Sequence, residues 1–348
     1  MDGFAWTVIG SVAGVAGVVV ALVFGVMPAR AARRQRRVQT AVAATAGQEQ
    51  ARRLGGLLRA PVPDVNARGR DGVIEELTAL GLAPDGRVRV LAGLGGIGKS
   101  TVARAVAARL ADERPVWWVP ASDAAALTGL LLGLAGELGA PAGVVAEALA
   151  GRVDPPDVLW PELEGRPGWV LILDNADDLE VLACNGREAG SGAGWLRPSR
   201  AGLVLVTSRI GDPVGWGPVA EVIRLESLDS TDGGRVLADL APEGGSDEEA
   251  MRLAGRLGGL PLAMHQAGSS LTSPFAAERT FAGYERALAG SQFAELLGRG
   301  RGNRDRVTVT WELSLAALEA NGAGQARALL RVLSCLGCCR AGAAAAAR

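Results

Sequence analysis

Residues 93–101 read Gly-Leu-Gly-Gly-Ile-Gly-Lys-Ser-Thr and follow directly on Arg87-Val88-Arg89-Val90-Leu91-Ala92, a run with a β-rich apolar core. Behind them Val102, Ala105, Val106 and Leu110 recur at helical spacing. The segment therefore reads strand, glycine loop, helix, and it matches G-x-x-x-x-G-K-[ST] in full. Each residue type has a physical reason. Glycines let successive backbone N–H groups turn inward around a phosphate, and the helix N-terminus adds its partial positive charge. Gly93, Gly95, Gly96, Ile97 and Gly98 form that cradle, Lys99 brings a compact ammonium for the β- and γ-phosphates, and Thr101 is placed for the α-phosphate. Ser100 brings a hydroxyl for Mg²⁺. Composition adds one telling fact: of 36 basic side chains, 35 are arginine and the one lysine is Lys99. A bulkier planar guanidinium does not replace an ammonium cleanly at such a site.

A site of this kind needs a second strand that ends in a carboxylate. Residues 169–173, Trp-Val-Leu-Ile-Leu, form the apolar run of a fully buried strand and lead into Asp174-Asn175-Ala176-Asp177-Asp178. Asp174 is the Mg²⁺ candidate. The next position, where an acid would orient an attacking water, is Asn175, which accepts no proton; Asp177 or Asp178 is left to stand in, and otherwise hydrolysis is slow. A third buried strand, residues 202–206, ends in Thr207-Ser208-Arg209, which places Arg209 to sense a terminal phosphate. Residues 116–119 and 219–223 complete a five-strand set, with helical stretches such as 124–138 between. The fold class predicted is α/β, a doubly wound parallel sheet, followed by a helical domain.

Other classes fall away. Hydrophobic residues make up 49% and charged residues 21%, which excludes disorder throughout. The net charge of −1 argues against a general nucleic-acid binder, and cysteines at 184, 335, 338 and 339 make no disulfide framework. Residues 4–27 run without a charge and are followed by Arg30, Arg33, Arg34, Arg36 and Arg37. As a helix this run is about 36 Å long against a hydrocarbon core of about 30 Å, so a transmembrane signal anchor is expected, with the arginine flank cytoplasmic. Residues 30–59 carry eight arginines against one acid, Glu49, while the remainder of the chain sums to −8. That basic stretch suits anionic lipid or serves only as the topology signal.

Taken in order, the segments at 93–101, 116–123, 169–178, 203–209 and 257–268 (Leu-Gly-Gly-Leu-Pro-Leu-Ala-Met-His-Gln-Ala-Gly) resemble the NB-ARC group of STAND signal-transduction ATPases, in the form common in actinobacteria. The resemblance covers roughly residues 65–318. It implies a nucleotide domain, a small helical domain and a winged helix, with ATP or ADP and Mg²⁺ as ligands. By this resemblance Pro261, in Gly259-Leu260-Pro261-Leu262, packs near the adenine, and Arg70, in Arg68-Gly69-Arg70-Asp71, borders the base. From the residues themselves, Gly258 and Gly259 break one helix and Pro261 opens the next. The family's winged helix carries a histidine that holds ADP. The single histidine here, His265, lies instead in the helix after Pro261 and reads as structural. The tail after Cys335 is low in complexity, so the chain reads as truncated in its winged-helix region.

These readings give an expected organisation: an anchor at 4–27, a basic linker at 28–60, a P-loop NTPase domain at 61–226, a helical domain at 227–302, and a partial winged helix with its tail at 303–348. The expected function is a membrane-anchored, cytoplasm-facing ATP/ADP switch with slow hydrolysis, in which Lys99, Asp174, Asp177 and Arg209 act on the phosphates and the ATP form self-associates. Nucleic acid is not an expected partner. The alternatives are a winged-helix transcriptional regulator and a nucleotide-binding remnant without output.

Overall fold

A computed structural model of the chain describes residues 67–274 and 276–289, together with Leu58, Leu315, Gln325 and 327–329. Five strands form one parallel sheet: β1 (Val88–Ala92), β2 (Val116–Pro120), β3 (Trp169–Asp174), β4 (Gly202–Ser208) and β5 (Ala220–Arg224). Their spatial order is β2-β3-β4-β1-β5. β1 and β4 are buried along their whole length, and β3 is buried up to Asp174. A parallel strand covered on both faces needs an unbroken apolar run, and these three have one. β2 and β5 lie at the edges, and half-buried residues begin to appear there.

The register sets the carboxyl ends of the central strands level. Ala92 pairs with Ser208, and Leu173 pairs with Val206. Beyond the ladders, Gly93 N–H donates to the Ser208 carbonyl at 3.2 Å and Ala176 N–H to the Thr207 carbonyl at 2.9 Å. The segments that leave β1, β3 and β4 are thus tied together at one end of the sheet, the end at which open α/β sheets bind ligands.

The described residues fall into two compact units. One comprises Leu58 and residues 125–165. Its helices are α3 (Ala124–Leu138), α4 (Ala142–Leu149) and α5 (Pro155–Glu164), the last opened by a proline in its first turn. The other unit holds the sheet, α1 (Asp71–Leu82), α2 (Lys99–Leu110), the single turns α6 (Leu179–Leu182) and α7 (Pro213–Trp216), and the helices α8 (Ser230–Leu240), α9 (Asp247–Arg256), α10 (Pro261–Thr272) and α11 (Phe281–Ala289). Within it one apolar core is continuous from Leu91, Ile172 and Leu205 of the sheet, through Val106 of α2, to Leu237, Leu253, Met264 and Phe281 of the later helices. Local signals set those helices. Asp229 caps α8 through the Asp232 N–H, Ser246 and Glu249 form a reciprocal capping box on α9, and Gly258 and Gly259, both at positive φ, separate α9 from Pro261 at the first turn of α10.

The fold class expected from sequence needs one correction. The parallel-sheet α/β part is observed, but the transmembrane helix is not supported. Residues 4–27 lie outside the described residues, and among the described residues no helix is long and apolar enough to cross a membrane. An uncharged run fixes a length and a hydropathy, and these alone do not make a helix. The basic linker at 28–60 and the segment at 303–348, with Cys335, Cys338 and Cys339, lie outside the described residues except for the few named above.

Candidate functional site

The loop from β1 to α2 is shaped by glycines where other residues would be strained. Gly98 caps α2 in the left-handed region, at φ +98°, so α2 starts at Lys99 with its first N–H groups facing the loop. Gly96, at φ +78°, also lies against Leu262: a Cβ there would stand 2.6 Å from the Leu262 Cβ. The Lys99 ammonium turns back across the loop and donates to the carbonyls of Gly93 (2.9 Å) and Leu94 (3.0 Å). Burial pushes its pKa below the ordinary lysine value; Asp177 raises it, Arg209 lowers it further, and Asp174 raises it again.

At the end of β3, Asp174 accepts two hydroxyl hydrogen bonds on one oxygen, Oδ1: from Ser100 Oγ at 2.8 Å and from Thr207 Oγ1 at 2.6 Å. Thr207 Oγ1 also accepts from the Asn175 N–H at 2.9 Å. Asn175 itself sits at φ +64°, a left-handed conformation that asparagine tolerates better than most residues. Three residues beyond Asp174, Asp177 is engaged differently. Its Oδ1 accepts the Arg209 backbone N–H at 2.7 Å, and its Oδ2 accepts the Arg209 Nε.

The fourth wall comes from α10. The Leu262 N–H donates to the Gly96 carbonyl at 3.1 Å, and the Pro261 ring lies 3.9 Å from where a Gly98 Cβ would be. These elements enclose a cavity of about 460 Å³, lined by Gly95, Gly96, Gly98, Lys99, Ser100, Thr101, Asn175, Asp177, Thr207, Arg209, Pro261, Leu262 and His265. Most residues expected from sequence therefore meet in one place. Asp174 joins them through Ser100, and Gly93 through its carbonyl to Lys99. Two of the expected residues lie elsewhere. Ile97 is buried in the apolar core. Arg70 is held behind the loop, donating to the carbonyls of Glu226 and, at 3.5 Å, Ile97; burial lowers its pKa, while Asp232 and Glu226 raise it.

Four lining residues were not among the expected site residues: Asn175, Thr207, Leu262 and His265. Spacing held a signal for the last, because His265 stands four residues after Pro261 and so shares its helix face. Thr207 had no such local signal; its role depends on a strand pairing.

Ser100 beside Asp174 is a hydroxyl and a carboxylate at hydrogen-bond distance, an all-oxygen donor set that suits a hard divalent cation. Among the described residues no cluster of three or more His, Cys, Asp or Glu is placed to hold a metal by itself. A cation here would draw its remaining oxygens from water and from a bound phosphate, as Mg²⁺ usually does.

A glycine loop between β1 and the helix that follows it, with a carboxylate at the end of β3, defines a P-loop NTPase domain. Within that class the resemblance to NB-ARC-type STAND ATPases is supported by a curated relative. The chain is 28% identical over 267 residues to a nucleotide-binding leucine-rich repeat (NLR)-like protein of Hyaloscypha variabilis, a match covering 71% of this chain and 27% of the relative. The chain thus spans about a quarter of that protein's length. No protein-family model matches the chain. Among solved structures, it is similar to a STAND protein with a tetratricopeptide repeat sensor from Pyrococcus horikoshii (TM-score 0.44, 16% identity, 62% of this chain and 31% of that one). It is also similar to a Walker-type ATPase of Pyrococcus abyssi (TM-score 0.41, 15% identity, 70% of this chain and 79% of that one).

Proposed function

We propose that this chain is a nucleotide-dependent switch of the STAND type: it binds ATP or ADP with Mg²⁺ at the loop 93–101, hydrolyses ATP slowly, and self-associates in its ATP form. The observation that carries the reading is the convergence of Lys99, Ser100, Asp174, Asp177 and Arg209 with the first turn of α10 around one loop. Lys99 would exchange its two carbonyl partners for phosphate oxygens, and the α2 N-terminus would complete the anion site. Ser100 and Asp174 would hold Mg²⁺, which neutralises charge building up between the phosphates. The Asp177–Arg209 pair keeps an arginine within the cavity wall, where a terminal phosphate competes with Asp177 for it.

Slow turnover is consistent with Asn175, which offers no proton acceptor beside Asp174. Switching needs a segment whose position depends on the ligand, because a ligand that binds two states equally shifts neither. The Leu262 N–H bond to Gly96 joins the helical part of the unit directly to the phosphate loop and so supports such coupling.

The test uses the full chain, purified without added nucleotide, denatured, and assayed for released ADP and ATP. The wild type is expected to release close to stoichiometric nucleotide, and Lys99→Ala none, with affinity lowered at least roughly 100-fold. Light scattering should then show a larger species with a non-hydrolysable ATP analogue than with ADP. No nucleotide from the wild type and no binding of added ATP–Mg²⁺ would overturn the proposal; binding with unchanged size would overturn the self-association part alone.

A further inference from the structure

One side chain of the cavity takes no part in the reading just given. His265, the only histidine in the chain, lines the cavity from α10, one turn beyond Pro261 and Leu262. The residue is half-buried. Among the described residues its imidazole has no hydrogen bond and no ion pair with another side chain. A histidine kept for structure is normally fixed by such a bond.

The surrounding charges show what it lacks. The charged groups that line the cavity with it are Lys99 of α2, Arg209 at the end of β4, and Asp177 after β3; Asp177 is already committed to Arg209 through two of its oxygens. α8 and α11 pack against α10. On α8, Asp239 is paired with Arg68 and Asp232 with Arg235; on α11, Glu285 is paired with Arg252, and Arg286 donates to the Ala282 carbonyl. α10 itself carries no acid. An imidazole opening onto a cavity walled by a phosphate-binding loop, with no unengaged carboxylate lining it, is suited to an anion that arrives from solution. Its cavity is shared with Lys99 at the start of α2 and Arg209 at the end of β4, the two cations expected to meet phosphate.

We propose that His265 is a proton-dependent contact for the phosphate tail of the bound nucleotide, so that ADP and ATP are held more tightly as the pH falls. This rests on the nucleotide-binding reading above. Histidine is the side chain that gains its charge in the physiological range, and a charge-assisted hydrogen bond to a phosphate is roughly twice as strong as a neutral one. The effect couples pH to the state of the switch, because the contact comes from the helix whose first turn holds the loop.

The test measures the affinity of fluorescent ADP with Mg²⁺ for the full chain between pH 5.5 and 8. The same series is run for His265→Gln and His265→Arg, with thermal melts to compare folding. ADP titrates in this range itself, so the quantity read is the affinity ratio of wild type to variant at each pH. Against His265→Gln that ratio is expected to be near 1 at pH 8 and to rise to roughly tenfold at pH 5.5. His265→Arg, with a fixed charge, is expected to bind as the acidic wild type does at both ends of the range. A ratio that stays flat with pH, while all three proteins bind ADP, overturns this inference and leaves the nucleotide site standing. Failure of the wild type to bind ADP at any pH overturns the nucleotide reading and this inference with it.

Discussion

Two carboxylates stand three residues apart at the tip of β3 and are held in opposite ways. Asp174 is held by neutral donors, the Ser100 and Thr207 hydroxyls, both on one oxygen. Asp177 is held by a cation, with Arg209 supplying both its backbone N–H and its Nε. Hydroxyl donors orient a carboxylate without cancelling its charge. The charge of Asp177 is already spent on Arg209, and its side chain is only 14% exposed against 57% for its partner. One acid is oriented by neutral donors and the other is paired with a cation, a difference that fits the separate roles proposed for them above.

The largest expected effect breaks the Asp174 corner. Asp174→Asn keeps the shape and the hydroxyl contacts but removes the charge, so the gain in ATP affinity on adding Mg²⁺ should fall by roughly 10- to 100-fold, read by titrating nucleotide with and without the ion. Asp177→Asn should leave most of that gain intact. If both variants lose it equally, the two corners are not distinct.

Thr207→Val, nearly isosteric, sharpens the same point. It removes one of the two donors to Asp174 and leaves the Asn175 N–H without its acceptor beside a buried strand end. The expected cost is about 1–3 kcal/mol of stability, seen as a lower melting temperature, and Thr207→Ser should recover most of it. Asp177→Asn acts on an arginine that is more than half exposed, so its stability cost should be below about 1 kcal/mol. Its signature is preference instead: freeing Arg209 should favour ATP over ADP by a few-fold in competition binding.

The smallest effect is a pH slope. Burial lowers the Lys99 pKa, and Asp177 raises it more than Asp174 does. In the window just below the ordinary lysine value of 10.5 the unfolded chain holds the proton and the native one has released it, so the stability of ligand-free protein should rise with pH there. Lys99→Met should remove that rise, and Asp177→Asn should extend the window further downward than Asp174→Asn. Melting temperatures between pH 8 and 10.5 read all three.

Much of this site is legible in the sequence because its parts are local. β1, the glycine loop and α2 are one continuous segment, and the apolar run of β3 ends at Asp174, the acid that bonds Ser100. The reading of Gly258, Gly259 and Pro261 as a helix break and restart likewise depends on backbone preferences within a few residues, and the structure shows it. That His265 lines the cavity was not legible in the sequence, since what lies opposite α10 is not written in α10. The transmembrane helix expected at 4–27 is not supported: those residues lie outside the described ones, and no described helix is long and apolar enough to cross a membrane.

The sequence by itself determined which residue types could bind phosphate and where the chain must turn, because φ restrictions, helix starts and apolar periodicity act over a few residues. It did not determine that β4 inserts between β3 and β1. That order brings Thr207 onto Asp174, 33 positions away, and Ser100 onto the same oxygen across 74 positions. Only the tertiary structure decides such contacts, because they follow from how buried strands pair to cover one another's apolar faces. The closing of α10 over Gly96 has the same origin, since the core that seats α10 is shared with the sheet.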